Sequence, residues 1–234
     1  MSQSYLREIH VGTTGAATNT ITHHNIVIHE LNHVCDSLTG RAMTGSWLWD
    51  SALVLSDHIS THNNDNFGLF SLHGKTVLEL GAGTGLPGLT ASRLGARNVI
   101  LTDLAPLIPG LWDNVVVNGM DDGRVKVAEL VWGSDELPSQ LSELGCGVDV
   151  VLMSDVLYDP SLMGPLAKTL MMVCRGGTVI WAASEVREST AECLLELASH
   201  GFEVTELASQ RGSSWLLETN STNEFAVYLI TPPK

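Results

Sequence analysis

With 234 residues, 44% of them apolar, the chain has material for one domain with a sizeable core and too little polar bias for general disorder. No apolar run approaches the roughly 20 residues of a membrane span, and MSQSYLREIHVG lacks a signal-peptide core, so a cytoplasmic protein is expected, with a nuclear fraction compatible. The net charge of −14, from 12 basic against 26 acidic side chains, would repel a phosphate backbone and argues against nucleic acid as a partner. It suits a cationic partner, such as a lysine-rich protein segment, or serves solubility alone.

Residues 1–20 are polar and rich in Gly and Thr, and read as a mobile terminus. Ile21 to Leu31 has β-branched residues at its centre and reads as a strand. His23, His24, His29 and His33 crowd this region, but no Cys or carboxylate completes a ligand set, and no metal is expected. Cys35, Cys146, Cys174 and Cys193 show no CxxC pairing and read as reduced thiols. A glycosylation sequon at Asn220-Ser221-Thr222 carries no weight without secretion.

The segment from Leu38 to Asp50 has the glycines of a loop and presents Trp47 and Trp49. Leu48, Ala52, Leu55 and Ile59 then fall at helical spacing. Residues 61–67 read as a polar linker. From Thr76 to Asp103 the chain reads as strand, glycine turn (Gly81-Ala82-Gly83-Thr84-Gly85), helix and second strand, with an acid at the second strand's tip. Such a unit binds a nucleotide-like ligand at the carboxyl ends of its strands.

After Pro106 and Pro109 comes a helix over about 111–118, then a strand at 125–130 running into Val131-Trp132-Gly133. An unbroken apolar strand at 149–153 follows, of the kind buried on both faces of a parallel sheet. It stops at Ser154-Asp155-Val156-Leu157-Tyr158. A helix at 162–174, a strand at 178–183 and a helix at 188–199 lead to two strands, 202–207 and 225–230, with no helix between them. The pattern predicts an α/β, Rossmann-like, doubly wound and mixed seven-stranded sheet with a C-terminal antiparallel β-hairpin.

The dinucleotide fingerprint places its third glycine one residue later, where this chain has Leu86. With Glu79 inside the strand end, this favours a mononucleoside ligand over a pyrophosphate. Asp103 lies 22 residues beyond Gly81, suited to ribose hydroxyls. The run Glu79 to Gly85 resembles motif I of the seven-β-strand S-adenosylmethionine-dependent methyltransferases. Trp49-Asp50, Glu129-Leu130-Val131-Trp132-Gly133, Asp155-Val156-Leu157-Tyr158 and Glu185-Val186-Arg187 add a narrower resemblance, from about Thr44 to Ile230, to the family 16 protein-lysine methyltransferases of the methyltransferase-21-like group.

That resemblance implies a methyltransferase domain over 46–234 behind an N-terminal extension of 1–45, and a protein substrate presenting a lysine. A monomer is the expected state. It places S-adenosyl-L-methionine against Trp49, Glu79, Gly81, Ala82, Gly83, Asp103, Trp132 and Ser154, and Asp155 and Tyr158 beside the acceptor amine. For the tryptophans the alternative is core packing; for Asp155 a helix cap, for Tyr158 a core ring, and for Glu185 and Arg187 a surface ion pair. A small-molecule methyltransferase and a catalytically silent nucleotide-binding scaffold remain alternative functions. An NAD-dependent oxidoreductase is disfavoured by Leu86 and by the absence of a Tyr-x-x-x-Lys pair.

Overall fold

A computed structural model of the protein describes residues 4–14, 21–31, 34–35, 40, 42–63, 71–142, 147–211 and 223–233. His33, Cys146, the sequon and most of the 61–67 linker lie outside the described residues.

Seven strands form the main sheet: β3 (Thr76–Leu80), β4 (Asn98–Asp103), β5 (Val125–Glu129), β6 (Val150–Ser154), β7 (Val179–Glu185), β8 (Glu203–Arg211) and β9 (Glu224–Thr231). Their order is β5-β4-β3-β6-β7-β9-β8, with the first five parallel and β9 antiparallel to both its neighbours. The hairpin expected from the helix-free connection is therefore present, with its second strand inserted next to β7. All of β3 is buried, Thr76 and Glu79 included, so neither face of the strand is left to water.

Helices α1 (Asp50–His62), α2 (Leu86–Arg93), α3 (Ile108–Val117), α4 (Ser139–Ser142), α5 (Met163–Val173) and α6 (Glu188–Ser199) accompany the sheet. Alternate strand residues feed two separate cores because successive side chains point to opposite faces. Val77, Val99, Leu101, Leu152 and Trp181 join α1 and α2 on one face. Leu78, Leu80, Ile100, Met153 and Ile180 join α5 and α6 on the other. Among the described residues no helix is long and apolar enough to cross a membrane.

One expectation is corrected. Within the terminus read as mobile, Ser4–Thr14 forms a strand, β1, antiparallel to β2 (Ile21–Leu31) from Ser4↔Leu31 to Thr14↔Ile21. Ile9 and Val11 are buried with Ile26 and Ile28 in the first core, which the Gly and Thr content of the segment conceals. Helix α3 holds the free edge of β2: Val27 N–H donates to Asn118 Oδ1 (2.8 Å) and His29 N–H to Asn114 Oδ1 (2.7 Å). Asn118 Nδ2 returns a bond to the Val27 carbonyl, and Asn114 Nδ2 to those of His29 and Thr84. Two side-chain amides one helical turn apart thus take the place of a neighbouring strand.

Candidate active site

The strand order reverses between β3 and β6, and in such sheets the crevice opens beyond the carboxyl ends at that point. Short bonds keep the strand ends level: Ala82 N–H to the Thr102 carbonyl, Leu130 N–H to that of Asp103, and Asp155 N–H to that of Ala183. They place the glycine turn, Asp103, Trp132 and Asp155 on one rim.

The turn is glycine-rich for steric reasons. Gly81 and Gly83 have φ of 63° and 56°, in the left-handed region that side chains disfavour. A Cβ at Gly81 would stand 3.1 Å from the Trp132 indole and from Val156. One at Gly83 would stand 2.9 Å from the carbonyl oxygen of Gly45. Residues 43–47 therefore lie directly over the turn, fixed by Met43 N–H to the Val34 carbonyl and Trp49 Nε1 to that of Thr44. Sequence reasoning missed this contact.

Glu79 is wholly buried, with Oε2 accepting from Gly88 N–H (2.8 Å) and Oε1 without a partner. It binds the first turn of α2, whose N-cap is Gly85 and offers no side chain. Burial pushes its carboxyl up to about 8, against the Gly88 bond and with the help of Asp103. Asp103 is half-buried and accepts from Gly83 N–H and Leu104 N–H, both at 2.7 Å. Burial raises its carboxyl as well, the two amides opposing.

Trp49 is exposed, while Trp132 is partly buried and packs against the second core with one part of its surface free. Ser154 ends β6 beside Ala183. Asp155, next along, has a φ of 55° and caps no helix; Asp159 does that, accepting from Ser161 N–H. Asp155 Oδ1 accepts from Ser51 Oγ (3.1 Å) and stands 4.0 Å from Arg187, which also bonds Glu185. Burial raises its carboxyl, with Arg187 and Ser51 opposing. Tyr158 is 49% exposed, and no core ring either. Burial raises its phenol first, and the fields of Asp159, Asp103 and Asp155 add to this. Tyr158 thus shares its surroundings with both rim carboxylates.

A glycine turn, the part-buried Asp103 carboxylate beside it, and the Tyr158 phenol in the field of Asp155 are groups able to bind hydroxyls and to orient a small nucleophile. Ser51 carries no sequence signal for its contact with Asp155, 104 residues away. Among the described residues no group of three or more His, Cys, Asp or Glu could hold a metal.

A family model described as "Lysine methyltransferase" matches residues 32–200. The chain is 34% identical over 161 residues to EEF1A lysine methyltransferase 3 of Mus musculus, covering 68% of this chain and 63% of that protein. It is 36% identical over 163 residues to protein N-lysine methyltransferase METTL21A of Danio rerio, covering 68% and 69%. The matches thus span about two-thirds of these relatives' own lengths. A solved structure described as a complex with SAH overlays 88% of this chain and 53% of its own, with a TM-score of 0.57. At 17% identity this likeness shows the fold alone.

Proposed function

The chain belongs to the lysine methyltransferase family, and from that premise we propose that it moves a methyl group from S-adenosyl-L-methionine to the ε-amine of a lysine on a protein substrate. The observation that carries the proposal is the convergence of Asp103, Asp155 and the Tyr158 phenol on one rim beside the glycine turn.

The residues fit the cofactor. Gly81, Ala82 and Gly83 present backbone without Cβ at the two glycines, Asp103 offers acceptor oxygens for ribose hydroxyls, and Trp132 and Trp49 offer aromatic faces, with Ser154 at the end of β6. Glu79 supports from below by holding α2 against the turn. When bound, S-adenosylmethionine supplies an electrophilic methyl carbon on a sulfonium, so no nucleophilic side chain is needed.

The chain's task is to deliver a neutral amine. A free lysine titrates near 10.4 and is cationic at neutral pH. Partial burial beside aromatic groups disfavours the ammonium, and Asp155, held by Ser51 and Arg187, accepts a hydrogen bond from the amine and orients its lone pair. The Tyr158 hydroxyl, protonated at neutral pH as an ordinary phenol is, is the second orienting group. The exposure of Tyr158 and Trp49 supports a protein acceptor, since a metabolite site would be enclosed.

Titration calorimetry tests the cofactor: heat is expected with S-adenosylmethionine and none with NAD, and Asp103→Ala should weaken binding by ~1–3 kcal/mol through loss of a charge-assisted bond. Labelled cofactor with a cell lysate, read by peptide mass, should place the methyl on lysine. Labelling that persists in Asp155→Ala and Tyr158→Phe would remove those residues from the mechanism.

A further inference from the structure

Along the N-terminal ribbon lies an open groove of about 540 Å³ that shares only Trp49 with the proposed cofactor contacts. Its walls are Tyr5 and Leu6 of the N-terminal ribbon on one side and Trp47 and Trp49 on the other. All four are exposed large apolar side chains, and the two tryptophan rings sit 6.3 Å apart at 41°. Glu30 closes the base, accepting from Arg7 (2.7 Å) and from Leu48 N–H (2.7 Å). This bond set joins β1, β2 and the tryptophan segment, so the groove is a fixed feature and its base is charge-neutral.

We propose that this groove docks the stretch of the protein substrate adjacent to the methylated lysine, and that it selects an apolar or aromatic side chain with basic neighbours. The proposal rests on the function proposed above. Proximity supports it: Trp49 is followed by Asp50 and Ser51, and Ser51 donates to Asp155, so the tryptophan wall ends within the first turn of α1 from a residue that bonds the acceptor carboxylate. A peptide whose lysine lies beside Asp155 must send its flanking residues along this wall or away from the protein.

Charge supports the basic neighbours. Arg7 is engaged by Glu30, and Arg187 is shared between Glu185 and Asp155, so with Asp50 these groups carry two more carboxylates than guanidiniums, on a chain of net charge −14. An acidic rim around aromatic walls suits an apolar anchor within a cationic segment and repels an acidic one. The ribbon, an appendage to the catalytic sheet, thereby gains a part in choosing the substrate.

The test uses Tyr5→Glu and Leu6→Glu, two exposed positions on the ribbon outside the catalytic and cofactor sites. Each full-length variant and the wild type is given labelled S-adenosylmethionine and lysate, and the protein labelled by the wild type is then purified as substrate. Losing one anchor should raise KM for that protein about tenfold, with kcat, cofactor affinity and melting temperature at wild-type values. Tyr5→Phe, which keeps the ring, should behave as wild type. An unchanged KM in both variants overturns the groove and leaves the methyltransferase reading intact. A wild type that binds S-adenosylmethionine and labels no protein overturns both.

Discussion

Asp155 and Glu79 are both carboxylates at strand ends, and their surroundings give them different work. Asp155 adopts left-handed backbone, which costs a residue other than glycine roughly 1–2 kcal/mol and which Asp tolerates better than most. The turn carries the side chain to Ser51 and Arg187. Glu79 lies out of water altogether, and with its carboxyl pushed up to about 8 it is protonated at neutral pH. Its folded value is above the ordinary 4.5, so the folded chain binds the extra proton between 4.5 and 8, and stability falls as pH rises through that window. His58 acts oppositely: burial lowers it from 6.5 to about 4, so its contribution rises with pH up to 6.5 and is then constant. The two slopes offset one another below 6.5, and Glu79 acts without that opposition above it. Urea unfolding should show the wild type losing about 2 kcal/mol between pH 6.5 and 8, and Glu79→Gln should remove that loss. Parallel profiles for the two proteins would show that Glu79 is already ionised in the folded state.

Helix α3 ties the N-terminal ribbon to the glycine turn, because Asn114 bonds His29 on one side and Thr84 on the other, while the Asn118 side chain bonds the ribbon and its own helix. Asn114→Ala should therefore cost ~2–3 kcal/mol of unfolding free energy by orphaning buried backbone groups, and should also weaken the cofactor. Asn118→Ala should lower stability and leave cofactor affinity intact. Equal cofactor affinity in all three proteins would mean that Thr84 needs no support from α3. This linkage was not legible in the sequence, where Asn114 and Asn118 look like ordinary polar positions on an amphipathic helix. The central strand β6 was legible because burial on both faces leaves an uninterrupted apolar run at 150–153. The strand at 4–14 was not, since Gly12, Thr13 and Thr14 break its alternation and its partner is set by tertiary pairing.

The candidate site as a whole divides the same way. Gly81, Asp103, Trp132 and Asp155 lie at the ends of consecutive sheet strands, so the order of elements alone brings them to one rim. Ser51, Gly45 and the Arg7–Glu30 pair depend on how α1 and the ribbon dock, which no local pattern encodes. Their arrival closes the turn from above, with the Gly45 carbonyl lying against Gly83, so the cradle's glycines have an internal neighbour as well as a proposed ligand. A crystal structure of the protein grown with S-adenosylhomocysteine separates these two roles. The account predicts the ribose hydroxyls on Asp103, the amino-acid end along Gly81 to Gly83, and the sulfur facing the Asp155–Tyr158 loop. Product bound away from the glycine turn, or absent from the crevice, would contradict it.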